Sequence, residues 1–84
     1  KLFIPKENNS HFVGRSYGMA YDYGNEKIKK GEIDGFNVGM NLGICAGQTI
    51  LWPHIHFIPR HKGDSPKIGG IRHAHPSGDH RHYY

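Results

Sequence analysis

The stretch Gly47-Gln48-Thr49-Ile50-Leu51-Trp52-Pro53-His54-Ile55-His56-Phe57-Ile58-Pro59-Arg60 decides how this chain is read. In an extended backbone, residues two apart point to the same side. The alternation then sets Leu51, Ile55 and Phe57 on one face, and Trp52, His54, His56, Ile58 and Arg60 on the other. The first face is apolar and suits a core. The second presents an indole, two imidazoles and a guanidinium, entered through a Gly-Gln-Thr turn. Such a set suits an anion that must be gripped and attacked, with phosphate the foremost candidate.

Working outward, the extended reading runs from Thr49 to Ile58. Pro53 cannot donate to a ladder, so a strand here is expected to lie at an edge or to bulge. Upstream, Gly35 to Leu42 alternates with Phe36, Val38, Met40 and Leu42 on one side and Asn37, Gly39 and Asn41 on the other. That is a half-buried strand, joined to the next by the small-residue loop Gly43 to Gln48, as a hairpin with a broad turn. From about Val13 to Lys30, Tyr17, Ala20, Tyr21, Tyr23, Lys27 and Ile28 recur at helical spacing. Asn9 or Ser10 can cap this helix, and Lys27, Lys29, Lys30 and Gly31 stop it. Gly14, Gly18 and Gly24 oppose it, each by about 1 kcal/mol against alanine. Leu2-Phe3-Ile4 reads as a short strand closed by Pro5. From His61 to Tyr84 the composition turns to Gly, Pro, His, Lys and Asp without a period. This irregular, His-rich tail is expected to lie across the domain or a second subunit. The sum is an α+β chain, an antiparallel sheet packed with a helix, forming one domain over residues 1–84.

With 84 residues the chain is near the lower limit for an unaided core. Its formal charge of +4 fits nucleotide phosphates without requiring DNA or RNA, so no nucleic-acid partner is expected. The single Cys45 cannot form an internal disulfide, which favours a reducing compartment such as the cytoplasm. No apolar run approaches the roughly 20 residues of a membrane span. The chain opens on Lys1 directly into a strand-like run, so the natural protein is expected to begin further upstream.

The imidazole pair carries the chemistry. A neutral histidine is nucleophilic when one nitrogen faces its target and the other nitrogen's proton is held by an acceptor. A strand would set His54 and His56 about 7 Å apart on one face, within reach of successive polyphosphate oxygens. Two half-exposed histidines without chemistry are the plain alternative. A zinc site is a third, although no third or fourth ligand stands nearby. In the Gly43–Thr49 loop, small residues let main-chain N–H groups approach an anion and Thr49 adds a hydroxyl, although an ordinary glycine-rich loop has the same composition. Asn41 offers an amide to phosphate or to a sugar hydroxyl. In the tail, Arg72 could meet phosphate, while His73, His75, His80 and His82 with Asp79 are surface residues or a metal-binding tract. Cys45 reads as a small apolar loop residue rather than a nucleophile.

Asn41-x-Gly43-x-x-Ala46-Gly47-Gln48-Thr49-Ile50, then His54-Ile55-His56-Phe57-Ile58-Pro59-Arg60 and Lys62-Gly63-Asp64, resembles the signature of the histidine-triad family of nucleotide hydrolases and transferases. The likeness is to bacterial diadenosine-polyphosphate hydrolases and runs from Pro5-Lys6 to Gly69-Gly70-Ile71-Arg72. It implies the family fold without its N-terminal part, which carries earlier strands and the base- and ribose-binding residues. The family pattern has three alternate histidines, and here Trp52 replaces the first. By resemblance His54 is the nucleophile that attacks the α-phosphate and forms a nucleotidyl-histidine intermediate, and His56 contacts phosphate oxygens or the leaving group. Gly47, Gln48 and Thr49 match the phosphate-binding loop, and Asn41 matches a polar position beside the phosphate. In the family a main-chain carbonyl at the first triad position orients the nucleophile, and a carbonyl survives any side-chain change. Trp52 is therefore expected to tune rate or substrate choice.

The resemblance implies a nucleotide hydrolase or nucleotidyl transferase, with a nucleotide as substrate and a second copy as partner. It requires no cofactor and no resident metal, with room for a divalent cation arriving on the substrate. Two alternatives stay open. Trp52 would suit a nucleotide-binding module that has lost catalysis, and the tail would suit a metal-binding protein.

Overall fold

The computed structural model describes residues 1–66 and 69–76. They form β1 (Leu2–Phe3), α1 (Ser10–Lys29), β2 (Gly35–Gly39) and β3 (Ile55–Arg60), with single 3-10 turns at Ile44–Ala46 and Gly70–Ala74. The strands make one antiparallel sheet in the order β1-β3-β2, with α1 packed on one face. The α+β expectation holds for these residues. Among them, no helix is long and apolar enough to cross a membrane.

The helix begins where its cap is written. Asn9 is extended, and its side-chain oxygen accepts from the Phe12 N–H at 3.0 Å, satisfying one of the four donors a helix start leaves open. At the other end Glu32 N–H reaches Lys27 O at 3.0 Å and Gly31 N–H reaches Ile28 O at 2.9 Å. That pair of bonds needs a left-handed residue, and Gly31 supplies it with φ +73°. The helix buries Ser16, Ala20 and Gly24, a stripe at successive fours. Tyr21 and Ile28, expected to be part of the periodic face, are 63% and 40% exposed.

Gly24 is the closest approach of helix and sheet. A Cβ there would overlap the Phe36 ring, well inside van der Waals contact. Its absence lets the Phe36 ring lie against the helix and stack on Phe57, with ring centres 5.2 Å apart and planes at 27°. Phe57 also meets Tyr23 edge-on at 5.1 Å and Phe3 at 6.3 Å. Each such pair adds about 0.5–1.5 kcal/mol beyond area burial. Ala20, Ile33 and Ile55 complete the core around this ring cluster.

Both hairpin strands are shorter than their alternation suggests. β2 stops at Gly39; Met40 still packs on the core, but Leu42 is 74% exposed. β3 begins only at Ile55, and 49–54 is irregular rather than extended. Pro53 therefore lies outside the strand, buried, and forces no edge or bulge: β3 is the central strand. Pro59 does lie inside it. Phe57 donates to Lys1 O at 2.9 Å, so by the pleat Pro59 turns its missing donor to that same side, beyond the β1 pairing.

Gly24→Ala is expected to lower the urea midpoint. Overpacking costs about 1–3 kcal/mol, against the roughly 1 kcal/mol by which alanine exceeds glycine in a helix. Gly18→Ala, where a Cβ meets nothing within 4 Å, should instead stabilise by about 0.5–1 kcal/mol. A shift of the same sign in both variants would refute this packing account.

Candidate active site

The centre of the site is set by the pleat of β3. Ile55 is fully buried and Phe57 is 4% exposed against the helix side, so His56 faces the opposite side. His54, one residue before the strand, remains on that side with it. The two half-buried rings lie 5.1 Å apart, centre to centre, at 63°. They are closer than the main-chain repeat alone gives, because the rings lean together.

His54 is held in one orientation. Its Nδ1 lies 2.9 Å from the main-chain oxygen of Trp52. A carbonyl can only accept, so Nδ1 carries the hydrogen, and in the neutral ring Nε2 keeps the lone pair. Trp52 does not share the histidine face as a strand residue, since the strand has not begun there. Its indole N–H instead donates to Pro5 O at 3.0 Å, across 47 residues of sequence.

The preceding loop is closed by one side chain. Gln48 Oε1 accepts from Gly43 N–H at 2.8 Å, while its Nε2 donates to Ile50 O at 3.0 Å and Leu51 O at 3.1 Å. The N–H groups of Gly47 and Gln48 are also turned inward, to Ile44 O and Gly43 O. Gly47 has φ +91°, a left-handed conformation costly for residues with a Cβ. A Cβ on it would lie 3.9 Å from Asn41 Nδ2, so loop and strand end meet at these two residues. Thr49 is exposed on the same loop.

Asn41 and His56 share a groove of about 360 Å³ with Asn37, Gly39, Ile58 and Ile71. That volume is at the lower end for small-molecule sites, roughly 300–1,000 Å³. The Gly70–Ala74 turn supplies Ile71 and Ala74 to one wall of it. Ile71 Cδ1 comes within 4.0 Å of a Cβ position on Gly39, and a Cβ on Gly70 would meet Asn37 Nδ2 at 3.1 Å. Sequence reasoning missed Ile71 as a lining residue and Pro5 as an acceptor. A bulky apolar residue inside a polar tail was a usable signal for the first; nothing local marks the second.

Arg60 does not serve as a free anion grip. Its Nε and Nη2 form a two-point bridge to Asp64 at 2.9 and 2.7 Å, and Nη1 donates to Asn37 Oδ1 at 2.8 Å. Asp64 also accepts from His61 N–H, and Lys62 N–H donates to Asp34, both at 2.8 Å. The cation thus ties the β3 end to its turn and to β2. Arg72 donates from Nε to Gly69 O at 2.9 Å, within its own turn. Cys45 is exposed in the Ile44–Ala46 turn. Among the described residues no group of three or more His, Cys, Asp or Glu is placed to hold a metal. His80, His82 and Asp79 lie outside them.

Two adjacent imidazoles thus stand at the start of the central strand, His56 on it and His54 just before it with its ring held by a main-chain carbonyl. The chain is 41% identical over 49 residues to an uncharacterised HIT-like protein of Methanocaldococcus jannaschii, which points to a relation with the histidine-triad family. Those residues are 56% of this chain and 38% of that protein, so the chain spans well under half of its relative. No family model matches the chain, and no solved structure matches it.

The Arg60 bridge and the His61 N–H hold the Asp64 carboxyl well below the usual carboxylate range. A lowered folded-state value stabilises the fold fully above the unfolded value of about 3.9 and is lost as pH falls through the folded value. Asp64→Asn should therefore melt below the wild type at pH 7, with the gap closing progressively in acid below about pH 4. A gap of constant size down to pH 2 would disprove the bridge's contribution.

Proposed function

We propose that this chain carries the nucleophile of a histidine-triad hydrolase or nucleotidyl transferase acting at the α-phosphate of dinucleoside polyphosphates or related nucleotide conjugates. The observation that carries this reading is the 2.9 Å contact of His54 Nδ1 with the Trp52 carbonyl, which leaves Nε2 as the attacking nitrogen beside His56. The Nε2 lone pair forms a P–N bond, and the P–O or P–N bond to the leaving group breaks with its electron pair. Nδ1–H, donating to the Trp52 carbonyl, spreads the positive charge the ring then holds. Water attacks the same phosphorus, the P–N bond returns its electrons to His54, and a proton is released.

His56 contacts the phosphate oxygens or the departing group. The Asn41 amide, just past β2, and the Thr49 hydroxyl on the loop are the offers to phosphate, while Gly47 and Gln48 shape the loop beside them. The reaction needs no resident cofactor; a divalent cation entering on the polyphosphate would offset its charge. The retained carbonyl at Trp52 favours this reading over a binding module without catalysis.

With diadenosine tetraphosphate as substrate, His54→Ala should lose about a thousandfold or more in turnover, as loss of a nucleophile does. His56→Asn should keep a rate lower by about a hundredfold. An alkaline quench followed by mass spectrometry should find an adenylyl group on His54. Undiminished turnover in His54→Ala defeats the proposal, and nucleotide binding without any adduct would favour the binding module.

The same reading includes a homodimer. β2 lies at the sheet edge, and an unpaired edge readily adds a strand. Sedimentation equilibrium should give twice the chain mass at micromolar concentration; a monomer at every concentration rules this out.

A further inference from the structure

We propose that Trp52 is a positioning residue for His54, acting from its side chain through its own main chain. The peptide whose oxygen fixes the His54 ring lies outside the sheet, since β3 starts at Ile55. Ladder pairing therefore does not hold it. Its anchors are side chains on both flanks. Before it, Gln48 Nε2 holds the Ile50 and Leu51 oxygens. At the residue itself, the indole N–H grips the Pro5 carbonyl at 3.0 Å. Pro53 follows, buried and with φ fixed by its ring.

The acceptor is firmly placed. Pro5 is buried just past β1, and β1 pairs with β3 at Phe3 and Ile55. One end of the indole is thus pinned to the sheet that also carries His56. Trp52 is 46% exposed and no part of the buried core. Without the indole bond the Trp52 peptide, between the Gln48-held Leu51 and the buried Pro53, can turn, and its oxygen leaves the line to Nδ1. The ring then samples the other tautomer, in which Nε2 carries hydrogen and has no lone pair to offer. The residue that replaces the first histidine of the signature thereby supplies more than an inert carbonyl.

The test exploits the fact that Trp52 is the chain's single tryptophan. Production in a tryptophan auxotroph fed β-(3-benzothienyl)alanine exchanges the indole N–H for sulfur and preserves the ring shape. Imidazole 15N shifts in alkaline buffer report the tautomer of each histidine directly. The parent protein should show His54 as Nδ1–H. The sulfur protein should show a mixture, its tautomer ratio moved roughly two- to tenfold, the size of one neutral hydrogen bond, with His56 unchanged. Trp52→Phe, which also lacks the donor, should do the same. Adenylylation of His54 by diadenosine tetraphosphate should slow by a similar factor at unchanged KM.

That rate effect rests on the proposed function, but the tautomer does not. An unmoved Nδ1–H tautomer in both altered proteins overturns the positioning role, whatever the turnover. A moved tautomer in a protein that never forms the adduct supports positioning and counts against the hydrolase reading instead.

Discussion

The site depends on the burial of Ile55 and Phe57 in the middle of the sheet. Side chains alternate along a strand, so fixing these two against the helix fixes His56 on the other side. A slip of one residue would turn the imidazole into the core and both apolar groups to solvent. The slip is resisted from both flanks, by Phe3 opposite Ile55 and by Val38 opposite Phe57. The helix adds a third constraint, because Phe36 stacks on Phe57 only where Gly24 leaves room for it.

His54 lies just beyond that regular frame. Its ring is oriented by a hydrogen bond to the Trp52 oxygen, and the loop before it is likewise shaped by hydrogen bonds. Gln48 spans the loop with three bonds, each contributing about 1 kcal/mol net. Leu42, Ile44 and Leu51 are left 74%, 90% and 89% exposed by that arrangement. Extending 49–54 as a strand would break the Gln48 bonds. Local polar closure therefore prevails over apolar alternation here.

Charge is handled in the same local way. Arg60 reads from alternation as a grip for anions, yet Asp64 stands four residues on in a tight turn and takes its guanidinium in a two-point bridge. A planar guanidinium and a carboxylate in that geometry bind far better than a point charge would. Asn37, across the ladder, accepts a third N–H, from Nη1. The cation therefore serves the turn and the β2 neighbour.

The helix and its ends were legible because Asn9, Lys27, Lys29 and Gly31 act on their immediate neighbours. The two faces of β3 were legible because alternation is a property of one strand. The likeness to a HIT-like protein agrees with the signature read from Asn41 to Asp64. Strand lengths, the exposure of Leu42 and Leu51, and the commitment of Arg60 were not legible, since each depends on partners that only folding brings near. So the sequence by itself determined which residues could be buried and which two imidazoles would emerge together, through short-range periodicity. The carbonyl that aims His54 is two residues away and was expected from the signature; the tertiary structure alone decided where the Trp52 side chain is anchored, because its indole N–H meets the Pro5 oxygen across 47 residues of sequence.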